Sequence, residues 1–133
     1  MAEKKYAEMV KKIPFVAGSK GPLFSVNSKS LNGFGAQVIY ACAYETGITG
    51  KSQKPHTHNF DEAIFFVGTD PHHLDELGAE VEMSIGPEED EKYTFTEPTV
   101  FVVPKGVPHC PIRTLRLEKP YVCFVVSLTD ETR

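Results

Sequence analysis

Short segments with the patterning of β-strands recur along the whole chain and are separated by turns. Some alternate apolar and polar side chains, as at 81–85, and others are continuously apolar, as at 99–103. The chain has ten glycines and ten prolines, and both residue types favour turns. Eight or nine such segments, at spacings of roughly 8–12 residues, are typical of a β-sandwich or barrel. The sequence therefore predicts an all-β fold.

The N-terminal residues follow a different pattern from the rest of the chain. In the segment 2–13, AEKKYAEMVKKI, apolar side chains recur at the spacing of one helical face, with lysines elsewhere. Pro14 disfavours helical geometry in the residue before it. We therefore expect a short N-terminal helix, followed by strands at 23–26, 37–45, 63–67, 81–85, 93–96, 99–103, 112–117 and 121–128.

Length, charge and cysteine content limit the possible classes of protein. A chain of 133 residues is typical of one domain, here residues 1–133. Its net charge of −4 provides no basic footprint for nucleic acid or an anionic membrane. No apolar run reaches the roughly 18 residues of a membrane span. Three cysteines cannot all pair within one chain, and no signal-like run is present, so we expect a cytoplasmic protein.

The stretch 50–68, GKSQKPHTHNFDEAIFFVG, carries three potential metal ligands: His56, His58 and Glu62. All three numbers are even, so in a regular extended strand their side chains would point to the same face. His109, in the turn-rich sequence PKGVPHCP, offers a fourth ligand. Three imidazoles and one carboxylate suit a borderline divalent metal ion. The residues alone therefore predict a mononuclear metal site on a β-surface.

This stretch resembles the first cupin motif, G-x5-H-x-H-x3,4-E-x6-G, at Gly50, His56, His58 and Glu62. Gly68 follows after five residues instead of six.

The second cupin motif, G-x5-P-x-G-x2-H-x3-N, is matched by Pro104, Gly106 and His109. Pro98 replaces its first glycine, and Arg113 replaces its last asparagine. Neither is a ligand position. The resemblance covers residues 50–113. In this region the chain is similar to the metal-binding, single-domain members of the cupin superfamily.

The resemblance implies a double-stranded β-helix, the cupin jelly-roll barrel, with a metal ion inside the barrel mouth. It implies that His56, His58, Glu62 and His109 are the ligands, and that the chain forms a homodimer. Cupins include dioxygenases, isomerases, epimerases, decarboxylases, lyases and non-enzymatic binding proteins, and the fold does not choose among them.

Among these functions we expect a mononuclear metal enzyme that acts on a small oxygenated molecule. An Fe(II) dioxygenase that cleaves its substrate oxidatively is favoured, since the 3-His/1-Glu set resembles that of dioxygenase cupins. A metal-dependent isomerase, decarboxylase or lyase and a non-enzymatic small-molecule-binding cupin remain alternatives. The ligand set suits Fe best and also permits Mn, Zn, Ni, Co or Cu.

Three further side chains are candidate substrate contacts. Arg113 shares parity with His109 and would suit a carboxylate or phosphate, although a surface position is equally compatible with the sequence. Tyr40 and Tyr44 would line a cavity if their face of the strand 37–45 points inward, and the sequence does not decide which face does. By the same parity, Cys110 is expected on the face opposite to His109.

Overall fold

Two antiparallel β-sheets form the computed structural model, which describes residues 5–18 and 21–129. Within these residues the strands are β1 (Val16–Gly18), β2 (Gly21–Val26), β3 (Gln37–Ala43), β4 (Gly47–Thr49), β5 (Glu62–Gly68), β6 (Ala79–Ile85), β7 (Glu91–Phe95), β8 (Thr99–Val103), β9 (His109–Leu117) and β10 (Tyr121–Ser127). The six-stranded sheet has the order β1-β2-β3-β10-β5-β8, and the four-stranded sheet has the order β4-β9-β6-β7. The predicted all-β jelly-roll barrel is confirmed.

The strand order places segments that are distant in sequence side by side. The last strand, β10, lies between β3 and β5 and pairs with both along its whole length. As a result Gln37, Ser127 and Glu62 lie in one row across three neighbouring strands. The two cupin-like motifs meet through a separate contact, because β9 begins beside the segment that precedes β5.

The space between the sheets is filled by alternate residues of the strands. In β5, and in β6 as far as Met83, the buried residues recur at every second position, as the period of a strand requires. Ile64, Phe66, Val81, Met83 and Tyr121 are each at most 1% exposed. The ring of Phe66 lies edge-on to that of Phe95, with centroids 4.9 Å apart. These contacts form one apolar core. Its residues Ile64 and Phe66 continue the inward face of β5 that begins at Glu62.

Three local features differ from the sequence prediction. The predicted helix over 2–13 is a single 3-10 turn at Ala7–Met9 within the described residues, and residues 2–4 lie outside them. Its apolar face remains exposed, with Val10 79% accessible, so no packing contact among the described residues supports a longer helix. Strand β4 and the buried Leu77, which is 1% exposed, both lie outside the strands that the sequence predicted.

Across the described part of the chain, no helix has both the length and the apolar character needed to cross a membrane.

Candidate metal centre

The two motifs are joined by an antiparallel bridge between His56 and His109. The amide of each residue donates to the carbonyl of the other, and both N···O distances are 3.1 Å. Next to this bridge, the amide of Gly106 donates to the carbonyl of His58 over 2.8 Å. His56 and His58 therefore lie in an irregular segment before β5, and not on a regular strand as the sequence suggested.

Three imidazole rings converge at this bridge. The ring of His56 lies 4.4 Å from that of His109 and 4.7 Å from that of His58, measured between centroids. One ring nitrogen from each of the three residues lies within 4.8 Å of the other two. Phe60 stacks on His58, with the rings 4.7 Å apart and 10° from parallel, and so limits the rotation of that imidazole. The cluster could hold a metal ion.

Glu62 adds a carboxylate to the three histidines. Its Oε1 lies 2.8 Å from His109 Nε2, and both side chains are nearly fully buried. Its other oxygen, Oε2, accepts a hydrogen bond of 3.0 Å from the hydroxyl of Ser127. This second contact fixes the orientation of the carboxylate, as partners of metal-binding carboxylates generally do. The structure thus brings together all four residues that the motifs indicated.

The arrangement of His109 and Glu62 fits a cation between them. His109 Nδ1 lies 2.9 Å from the carbonyl of Val107, which can only accept, so Nδ1 carries the proton. In the neutral ring, Nε2 then presents a lone pair. This Nε2 makes no hydrogen bond with the described residues although it lies close to Glu62 Oε1. Ligand atoms about 2.0–2.2 Å from one ion lie roughly 3 Å apart when at right angles, so the short separation suits two ligands of one metal.

A bulge at the start of β9 changes which side chains point inward. Met83 pairs with Ile112, whereas Ile85 pairs with His109, so the β9 side of the ladder contains one extra residue. Cys110 occupies this position with a φ of 79°, which is unusual for a side chain other than glycine. Between this bulge and Thr114 the inward positions are even-numbered. Cys110 therefore lines the same cavity as His56, contrary to the expectation from parity.

Arg113 does not lie in that cavity, and the possibility of an inward position is corrected. Its Nη1 lies 2.7 Å from Glu89 Oε1 and 3.4 Å from Glu82 Oε1. The hydrogen bond from Arg113 is the main reason that the pKa of Glu89 lies below its ordinary value. The bulge before Arg113 reverses its parity relative to His109, so its guanidinium joins an acidic cluster on the outer side of the four-stranded sheet.

The two tyrosines are likewise directed away from the cavity. The cavity is lined by the odd-numbered residues of β3, namely Gln37, Ile39 and Ala41. Tyr40 stacks instead on Phe24 with centroids 5.0 Å apart, on the opposite face of the sheet. Tyr44 is 46% exposed. The tyrosine face of the strand 37–45 is therefore the outer face, and neither tyrosine is a cavity contact.

A cavity of about 1110 Å³ opens beside the histidine cluster. His56, His58 and Glu62 form its polar end. Most of the remaining wall is apolar, and the loop 51–54 contributes exposed side chains, including Lys51 and Lys54. Further lining residues are Leu23, Ser25, Gln37, Ile39, Ala41, Thr49, Gly50, Pro55, Ile64, Cys110, Ile112 and Cys123. The volume suits a small organic molecule.

Two polar residues at this site were missed by sequence reasoning. Ser127 orients Glu62, and Gln37 occupies the same row two strands away. Each is a polar residue at the end of an otherwise apolar strand, in the sequences QVIYACA and YVCFVVS. That pattern was a usable signal, but only the pairing of β10 with β3 and β5 shows that both residues adjoin the carboxylate.

Comparisons with known proteins connect this fold to solved structures. Oxalate decarboxylase of Bacillus subtilis, solved as a mutant in which an arginine is replaced by alanine, superposes with a TM-score of 0.60 at 14% sequence identity, over 91% of this chain. A second mutant of the same enzyme, with a glutamate replaced by alanine, gives the same values. Another structure of the same enzyme, from a study of its Mn(II) centres, superposes with a TM-score of 0.58 at 13% identity.

The present chain covers 28% of the length of each of these solved chains. No protein-family profile matches the sequence, and no curated protein sequence matches it either. Oxalate decarboxylase is a cupin, and the chain described here has the cupin fold.

Proposed function

We propose that the chain is a mononuclear metal-dependent enzyme, with His56, His58, Glu62 and His109 as the ligands of one divalent ion. The observation that carries this proposal is the convergence of three imidazoles, with His109 Nε2 only 2.8 Å from Glu62 Oε1. When bound, the ion would supply Lewis acidity and two open positions for oxygen ligands. The adjoining cavity would hold the rest of a small oxygenated substrate.

Oxidative cleavage of the Fe(II) dioxygenase type is the reaction that this cavity supports best. Isomerisation requires a general base in addition to the metal ligands. Among the described residues that line the cavity, Glu62 is the one carboxylate, and the tyrosines point elsewhere. A dioxygenase needs fewer protein acids and bases, since its co-substrate is oxygen. The apolar wall at Ile39, Ile64 and Ile112 suits a substrate with an apolar body.

Decarboxylation is the second candidate, because of the likeness to oxalate decarboxylase with its Mn(II) centres. A metal ion held by the same four residues would bind a carboxylate substrate through its oxygens. The exposed Lys51 and Lys54 would attract an anion to the cavity. The mainly apolar wall favours this reaction less, since a small dianion would lose hydration there without gaining enough hydrogen bonds.

The two candidates are separated by measuring metal content and two reactions on the same anaerobically purified protein. We expect about one metal ion per chain, by analogy with structural and catalytic sites of four protein ligands. Oxygen uptake with a panel of β-diketones and catechols, in the iron form, would support the dioxygenase. Carbon dioxide release from oxalate in the manganese form would support the decarboxylase. Stoichiometric metal with neither reaction would favour a non-enzymatic binding protein, and absence of metal after reconstitution would contradict the metal centre.

We also propose that the chain is a homodimer that associates through the outer face of the six-stranded sheet. In the register of the strands, Phe24, Tyr40, Phe124, Phe65 and Val100 form one row across five strands. A parallel row is also apolar, and this outer face contains no charged residue on β2, β3, β10, β5 or β8. Apolar faces of this extent mark interaction sites. Two copies could pair there without bringing like charges together.

A charge in the outer face should break the dimer. Val102 is 75% exposed, so Val102→Asp would leave the single chain folded while placing an unpaired carboxylate in the interface. We expect wild-type dimers in sedimentation equilibrium and at least a roughly tenfold weaker association of the variant. Leu115→Asp is the matched control, since Leu115 is 46% exposed on the other sheet. Unchanged association of the Val102 variant would exclude this face, and a monomeric wild type would contradict the dimer.

The thiols bear on the proposed cytoplasmic location. Within the described residues, Cys42, Cys110 and Cys123 form no disulfide. Burial raises the pKa of the Cys123 thiol to about 12, so this residue has little thiolate at neutral pH. Reduced cysteines are compatible with a reducing compartment, which supports the proposal.

A further inference from the structure

Gln37 is a buried polar residue whose side-chain oxygen has no hydrogen-bond partner among the described residues. Its side chain lines the cavity at the start of β3, and the residue is only 2% exposed. Its Oε1 is buried and makes no hydrogen bond with the described residues. Burying an amide oxygen without a hydrogen-bond partner is energetically unfavourable. Unsatisfied buried groups of this kind require an explanation, and a ligand in the cavity would provide one.

The position of Gln37 relates it directly to the metal centre. Gln37 pairs with Ser127, and Ser127 pairs with Glu62, so the three residues form one row. Adjacent strands lie about 4.8 Å apart, so Gln37 and Glu62 are separated by roughly 10 Å between backbones. Ser127 lies between them in the row, and its hydroxyl is already donated to Glu62. Glu62 lies at one end of this row, and Gln37 lies at the other.

Few polar side chains lie on the strands between these two residues: the hydroxyl of Ser127 donates to Glu62, and Ser25 of β2 lines the cavity beside Ile39. Ile39 and Ala41 continue the inward face of β3, and Ile64 follows Glu62 on β5. Ile112 faces them from β9. A molecule in this space would therefore find apolar contacts along its body and one hydrogen-bonding amide at its far end.

We propose that Gln37 is a ligand-binding residue that recognises a hydroxyl group on the substrate. The substrate class is a compact, largely apolar molecule with a chelating pair of oxygens at the metal and a hydroxyl on the side facing β3. This inference rests on the metal-dependent function proposed above. The oxygen and nitrogen of an amide are not distinguished by shape. A hydroxyl can both donate and accept, so it satisfies the buried amide atom in either orientation.

Two chelating pyranones that differ by one hydroxyl test this inference. Kojic acid carries a hydroxymethyl group across the ring from its chelating hydroxyl, and allomaltol carries a methyl group there. Calorimetric titration of the zinc-loaded protein with each compound gives two dissociation constants. We expect kojic acid to bind about three- to tenfold more tightly, the effect of one neutral hydrogen bond. In Gln37→Met, which keeps the length of the side chain, the ratio should fall to about one.

Gln53→Met is the matched control, because Gln53 also lines the cavity but is exposed to solvent. We expect this variant to keep the wild-type ratio of the two dissociation constants. A ratio near one in the wild type, or an unchanged ratio in Gln37→Met, would overturn the role of Gln37 while leaving the metal centre intact. Stoichiometric zinc with no binding of either pyranone would contradict the open metal positions, and the inference would fall with the proposed function.

Thermal unfolding of the metal-free protein excludes a purely structural role for the amide. Gln37→Met removes a buried polar atom that has no partner among the described residues, so its melting temperature should equal or exceed that of the wild type. A melting temperature several degrees lower would show that the amide stabilises the fold, and it would overturn the inference. This measurement needs neither metal nor ligand, so it is independent of the proposed function.

Discussion

His58→Ala should remove most of the bound metal while the barrel persists. The ring of His58 lies 4.7 Å from that of His56 and 5.4 Å from that of His109, so it completes the histidine cluster. Loss of a residue that merely orients a ligand weakens metal binding by roughly 10–100-fold, and loss of a ligand should exceed this. His58 is only half-buried and lies outside the regular strands, so little of the core depends on it.

The measurement is metal content after dialysis against a chelator, with circular dichroism as the test of folding. His72→Ala is the matched control, since His72 is an exposed histidine in the loop after β5. We expect the control to retain wild-type metal content. Full metal stoichiometry in His58→Ala, with an affinity like that of the wild type, would show that His58 is not a ligand. Loss of the β-sheet signal in that variant would instead assign His58 a role in the fold.

Most strands and the clustering of the motif residues were predictable from the sequence because both are reflected in residue spacing. Strand period and turn residues predicted most of the strands, and the pattern of His56, His58 and Glu62 indicated a metal site. The reasoning that the three point together along one strand was nevertheless too simple. The first two lie in an irregular segment, and their approach to Glu62 depends on the backbone bridge between His56 and His109.

The side chains that line the cavity were not predictable, because they depend on which face of each strand is covered. Period 2 groups Tyr40 with Tyr44 and Gln37 with Ile39, but it assigns neither group to the interior. The structure places Gln37 and Ile39 on the cavity wall, since their face opposes the other sheet. For Arg113 the parity was reversed by one extra residue at the start of β9. A bulge of one residue leaves no reliable signal in a single sequence.

The same limit explains the N-terminal segment. Helical spacing over 2–13 is a local preference, and short helices need a packing surface to be stable. In the described residues Met9, Val10 and Ile13 remain mostly exposed, so no such surface is present within that part of the chain. The alternating strands, in contrast, pack their apolar faces against the opposite sheet. Their sequence pattern therefore predicted the structure correctly.

Phe66→Ala should cause a large loss of stability. Phe66 is fully buried, and its ring contacts those of Phe95, Phe101 and Tyr121. Truncation of a buried phenylalanine costs about 3–5 kcal/mol, because the protein loses apolar contacts and retains a cavity. Natural domains have only about 5–15 kcal/mol of stability, so this change should remove a large part of it.

Urea unfolding of the metal-free protein measures this loss, and Phe34→Ala is its matched control. Phe34 is 65% exposed in the loop before β3, so its replacement should change the free energy of unfolding by no more than about 0.5 kcal/mol. A loss below about 1 kcal/mol in Phe66→Ala would contradict the tightly packed core. If metal binds only the folded chain, any unfolded fraction of this variant lowers its apparent metal affinity. Added metal should then shift its unfolding midpoint upward.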